Sequence, residues 1–148
     1  MGLLDKAVKK RKSLREKNKR ELIKVLDREF SLFIRMSAAE DAGWVKCPTC
    51  GTSYQWKDTD CSHYVGRKNH AVRWDERNVI AQCRSENRFQ SGNIWKLRKV
   101  LVERYGEDAV KQVEAIAEIK GGVGDIWLRE KIEEYREKNK ALRKEKCL

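Results

Sequence analysis

Cys47-Pro48-Thr49-Cys50-Gly51 is the stretch whose residue types and spacing specify chemistry most directly. A tight turn can aim two thiolates at one metal ion, and the glycine lets backbone N–H groups turn toward sulfur. A tetrahedral site needs two further ligands. Cys83 is the third, at the end of Val79-Ile80-Ala81-Gln82-Cys83 and at the start of an expected helix. The fourth is left open between Glu86, which stands where a second C-x-x-C would place cysteine, and Cys61. A redox dithiol would need a strand-to-helix context, which the following Gly-Thr-Ser-Tyr-Gln-Trp does not supply. The expectation is zinc in a structural role.

The elements that must hold these residues follow from hydrophobic period. From Lys6 to about Glu40 the pattern is helical, with Leu22, Leu26, Phe30 and Phe33 on one stripe that thins out upstream of Leu22. Between Gly43 and Gln82 the helical period disappears, and Ser-Tyr-Gln-Trp and His-Tyr-Val suggest short strands of an irregular centre. Ser91 or Asn93 can cap a helix through Ile94, Leu97 and Leu101 that ends near Gly106. A second helix carries Val110, Val113, Ile116 and Ala117, and both are expected to pack on the centre. Asp125 can cap a last helix with Leu128, Ile132, Tyr135 and Leu142 on a narrow seam. That seam buries little alone and must pair with the N-terminal helix or another subunit. The predicted class is α+β: a basic helical arm over residues 1–42, a zinc-binding core over 43–106, and C-terminal helices over 107–148.

Composition narrows the function classes. The chain has 148 residues, 39% of them charged, and a net charge of +11. The surplus lies in residues 1–30, with eleven basic against five acidic side chains, and in 44–104, with twelve against six. Such a field attracts nucleic acid. Five cysteines and no apolar leader or spanning segment point to a soluble intracellular protein rather than a disulfide scaffold or membrane protein. The tryptophans, among them Trp44, Trp56 and Trp74, are expected as core fillers.

Read in order, Phe-Ser-Leu-Phe-Ile-Arg, Cys-Pro-Thr-Cys-Gly, Ser-His-Tyr-Val-Gly-Arg, Arg-Trp-Asp-Glu-Arg-Asn-Val, Gln-Cys, Asn-Arg-Phe and Ser-Gly-Asn form a set. From about Phe30 to the last helix the chain resembles the phage NinG/Rap recombination proteins, and more distantly HNH endonucleases and ββα-metal resolvases. The resemblance implies a zinc-stabilised ββα-metal, HNH-like finger and an endonuclease acting on branched DNA such as Holliday junctions, in the host-cell cytoplasm. It further implies His63 as general base, Asn78 orienting it, and Asn87 helping to hold a catalytic Mg2+ or Mn2+.

A histidine titrating near 6.5 suits deprotonation of a water, and an oxygen-bound metal suits the phosphate charge. Many HNH enzymes have a metal ligand just before the base. Ser62 stands there in this chain, so Asp75 or His70 is expected as the second protein ligand. Arg67 or Arg73 is the expected phosphate clamp, with Lys68, Arg88 and the arm residues Lys9, Lys10, Arg11 and Lys12 as further DNA contacts. Ser62 and Glu86 are the two departures that put activity in question. The alternative reading is a zinc-finger DNA-binding accessory protein without catalysis, and a homodimer is open for either.

Overall fold

A computed structural model describes residues 12–89 and 93–148. Lys9, Lys10, Arg11 and Ser91 lie outside the described residues. The fold is mostly helical, with two small antiparallel sheets. Among the described residues no helix is long and apolar enough to cross a membrane.

Helix α1 (Lys19–Ser37) starts later than the sequence period suggests, after a 3-10 turn at Leu14–Glu16. The reason is local. Asn18 Oδ1 accepts the Glu21 N–H at 2.9 Å, while the Glu21 carboxylate accepts the Asn18 N–H at 2.9 Å, which satisfies two of the helix's otherwise unpaired donors. Leu22, Leu26 and Phe30 then face inward.

Two hairpins follow. Strands β1 (Trp44–Lys46) and β2 (Ser53–Gln55) pair with Val45 opposite Tyr54, and the Cys47–Gly51 turn joins them. Gly51 takes φ +78°, a region disfavoured for a side chain. Strands β3 (Thr59–His63) and β4 (Val79–Cys83) pair from Thr59 opposite Cys83 to His63 opposite Val79. Helix α2 (Arg84–Phe89) continues from β4 without a loop.

The β3–β4 hairpin is covered on both faces, which is why every residue of β4 is buried. Cys61 and Val79 join the α1 side, with Trp74 from the connection. Ile80 joins Leu97 and Leu101 of α3 (Ile94–Tyr105) and Val110 of α4 (Glu107–Ala117) on the other. Asn93 precedes α3 but does not cap it: its backbone is left-handed (φ 50°), and its side-chain amide donates to Glu86 instead.

The last helix, α5 (Asp125–Lys146), finds its partner inside the chain. Leu128, Ile132 and Tyr135 pack on Leu22, Leu26 and Phe30, with the Tyr135 and Phe30 rings edge to face at 5.1 Å. Arg129 reaches Leu14, Asn139 reaches Glu29, and Lys146 reaches Met36, Ser37 and Ala39. Contacts rising together along both chains mean that the two helices run parallel. Residues 19–37 are therefore a core element rather than an arm.

The tryptophans divide, which corrects the expectation that they fill the core. Trp56 and Trp74 are buried, but Trp44 is half-exposed, Trp127 is 37% exposed and Trp95 is 87% exposed.

Candidate metal centre and adjoining polar cleft

The β1–β2 turn delivers Cys47 and Cys50, and the β4–α2 junction delivers Cys83. Their three sulfurs lie within 4.8 Å of one another, a cluster that could hold a metal such as zinc. The 3.9 Å between the Cys50 and Cys83 sulfurs suits tetrahedral coordination, since Zn–S bonds of about 2.3 Å place sulfurs roughly 3.8 Å apart. Backbone amides already point at the sulfurs: Cys83 N–H to Cys47 Sγ at 3.4 Å and Glu86 N–H to Cys83 Sγ at 3.5 Å. Burial raises the Cys47 thiol. The Cys83 amide, the Thr49 hydroxyl and the turn amides outweigh it and bring that thiol down to about 7. A thiol so readily ionised is a ready metal ligand.

Neither expected fourth ligand joins the three. Cys61 faces Ala81 across the β3–β4 ladder, in the core with Leu22, Leu26 and Phe30, and burial pushes its thiol up to about 12. That corrects Cys61 as a ligand. Glu86 is buried beside the cluster, but its carboxylate accepts the Asn93 amide at 2.7 Å, and it is the Glu86 backbone that serves the sulfurs.

Where α2 leaves the metal cluster it closes a polar cleft of about 390 Å³. Ser31 and Arg35 of α1, Thr59, Asp60 and Cys61 of β3, Arg67, and Asn87 and Arg88 of α2 form its walls. Asn87 donates its side-chain amide to Asp60 at 2.9 Å, and Arg88 grips the same carboxylate at 2.8 and 3.0 Å. Burial disfavours the Asp60 charge, but Arg88 and Asn87 outweigh it and hold the carboxyl below its usual range. Sequence reading missed Asp60. Sequence pattern carried no signal for it: three residues upstream of His63 on β3, an odd spacing, it points to the opposite face of the strand.

His63 is not among the residues lining the cleft. Its Nε2 meets the Arg73 carbonyl at 2.9 Å. A carbonyl only accepts, so Nε2 carries the proton and Nδ1 keeps the lone pair. Burial pushes the imidazole down to about 4, with the Arg67 charge acting in the same sense against the bond to Arg73.

Several expected roles move. Asn78, fully buried, does not orient His63: its side chain accepts the Val65 N–H at 2.8 Å and donates to the Val65 and Val72 carbonyls at 3.0 Å. It staples the β3–β4 connection shut. Asp75 is engaged by Arg77 at 2.7 Å and, with His70, lines a different hollow from Asn87, so the three do not share a metal site. Arg73 is no free phosphate clamp, because Asp27 binds it at 2.6 and 2.9 Å and the Arg67 carbonyl takes a third donor. Arg67 and Lys68 are exposed, whereas Lys12 pairs with Glu21.

A cluster of three cysteines that could hold a metal, at the root of a hairpin-and-helix unit and flanked by an arginine-rich cleft, defines a small protein of mixed helix and sheet architecture. The chain belongs to the NinG family: the model described as "Bacteriophage Lambda NinG protein" matches residues 4–145. Over 72 residues it is 40% identical to Protein ninG of Salmonella phage P22, 39% to that of Escherichia phage 933W and 38% to that of Escherichia phage lambda. Each of these matches covers 47% of this chain and 34% of the relative, so the chain spans about a third of the length of the curated relatives it matches. No solved structure matches it.

Proposed function

We propose that the protein is a metal-dependent endonuclease of branched DNA, in which β3, β4 and α2 act as a ββα-metal unit braced by zinc on Cys47, Cys50 and Cys83. The observation that carries this reading is the hydrogen bond joining Asp60 of β3 to Asn87 of α2 in a cleft walled by Arg35, Arg67 and Arg88. The Asp60 carboxylate and the Asn87 carbonyl oxygen, which has no hydrogen bond among the described residues, are hard donors of the kind Mg2+ or Mn2+ takes. Such an ion stabilises charge on the attacked phosphate and on the leaving oxygen. The arginines would hold neighbouring phosphates, and His63, the base that the family resemblance implies, would take the proton from the attacking water at Nδ1, although it does not line this cleft. Ser62 is buried and supplies no ligand; Asp60 takes the place the sequence left to Asp75 or His70.

The second reading is a zinc-braced DNA-binding accessory protein without catalysis. One observation favours it: Arg88 and Asn87 already occupy the Asp60 carboxylate, so a cation has to displace Arg88. Cleavage of a labelled four-way junction and a matched linear duplex, each with Mg2+, Mn2+ or EDTA, separates the two. Metal-dependent, junction-selective cutting that Asp60→Asn and His63→Ala each abolish, with junction affinity kept, supports the nuclease. Tight junction binding without cutting supports the accessory protein.

A further inference from the structure

Two hollows, each of about 480 Å³, meet at His70. The first lies between the 70–77 segment and the start of α5, and its walls include the indoles of Trp74 and Trp127. These rings are 5.8 Å apart at 49°, and the Lys131 ammonium stands 6.0 Å from the Trp127 ring. The core closes on Leu128, next in the chain, so folding does not call for the Trp127 ring; it stays 37% exposed. The second hollow lies against the first turns of α1, beside Lys19, Arg20 and Lys24. None of these three makes an ion pair among the described residues.

A part-exposed indole, with Trp74 beside it and only the mobile end of Lys131 over it, in a hollow that adjoins three cations without ion pairs among the described residues, fits a flat ring that carries a phosphate. The acids of the first hollow do not oppose it, because Arg77 binds Asp75 at 2.7 Å, while Tyr135 and Lys138 bind Glu76 at 3.0 and 3.3 Å. We propose that the two hollows form one site for an unpaired nucleotide of a DNA strand, its base on Trp127 and its phosphates on Lys19, Arg20 and Lys24. The inference rests on DNA being the partner. It adds where a strand leaves the cleft. Arg20, Lys24, Asp27, Ser31 and Arg35 recur at helical spacing on one face of α1, and Ser31 and Arg35 line the cleft. From Lys24 to Arg35 the helix rises about 16 Å, a span that a few nucleotides of extended strand can cover.

The test measures affinity for oligo(dT) and for an abasic oligomer of equal length, using the full chain. The wild type should bind oligo(dT) about ten-fold more tightly than the abasic strand, the share expected of one stacked base. Trp127→Ala should bring oligo(dT) to the abasic level and leave abasic binding unchanged, while Trp127→Phe keeps most of the preference. Lys19→Gln with Lys24→Gln should weaken both probes and reduce the slope of log affinity against log salt by about 1.4. Equal binding of the two probes by the wild type, or undiminished oligo(dT) binding by Trp127→Ala, overturns the site. Junction cleavage by the same preparation judges the nuclease reading separately: an uncut junction with Trp127-dependent oligo(dT) binding removes the nuclease and keeps the site.

Discussion

His63 is half-buried at the end of β3, and the consequence is a pH dependence with a definite sign. Its folded value of about 4 lies below the ordinary 6.5, so between the two the unfolded chain binds a proton that the folded chain refuses. The cost grows as pH falls through that window and vanishes above it. At pH 5 it amounts to about 2 kcal/mol, and unfolding titrations of wild type and His63→Gln at pH 5 and 7 should differ by that amount. Equal pH dependence in both proteins would refute the shift. For the proposed nuclease the same shift keeps the base neutral but makes it a weaker proton acceptor than the ordinary imidazole, and His63 protonation should not slow cleavage until pH approaches 4. Asn78 carries a different weight. Asn78→Ala leaves one buried N–H and two carbonyls without their side-chain partner, and should cost about 3 kcal/mol in denaturant unfolding. Residue types at both positions were legible in the sequence. Their partners were not, because they are backbone groups of Val65, Val72 and Arg73, to which sequence pattern is blind.

Among the elements, those read from hydrophobic period stand close to where it put them: α3, α4 and α5, and the inward face of α1. The helical period puts the start of α1 too early because it is extended upstream of Leu22, where the apolar stripe thins out and Asn18 and Glu21 set the boundary. The cysteine knuckle was legible because two of its ligands, Cys47 and Cys50, stand three positions apart in one turn and the third, Cys83, lies at a strand end. Cys61 was not, since only the β3–β4 register shows it facing Ala81 in the core. Thiol labelling followed by mass mapping checks this division. With zinc, Cys147 should label and Cys47, Cys50 and Cys83 should resist. After chelation, exposed Cys50 should label first, while Cys61 stays unreactive until the chain unfolds. Labelling of Cys61 in the folded, zinc-loaded protein would place it outside the core.

For the molecule as a whole, the sequence left one question open that packing answers. The narrow seam of α5 suited another subunit as well as the N-terminal helix, because a seam shows only that a partner exists. In the fold that partner is α1, and the parallel pair also roofs the β3–β4 hairpin through Cys61, Trp74 and Val79. Buried Asn139 fixes the register by donating to the Glu29 carbonyl and, at 3.2 Å, to its carboxylate. Lys146 crosses to three carbonyls at the end of α1, where positive charge complements the helix dipole. Leu128, Ile132 and Tyr135 together account for about 6 kcal/mol of burial, which is comparable to the entire stability of an ordinary domain. Ending the chain after Gly124 should therefore abolish cooperative unfolding, seen as a broad thermal transition by circular dichroism, and expose Leu22, Leu26 and Phe30 to aggregation. If α5 were instead a peripheral dimerisation helix, the truncated chain would remain a folded monomer with a sharp transition, and the parallel α1–α5 core would be the wrong account of this fold.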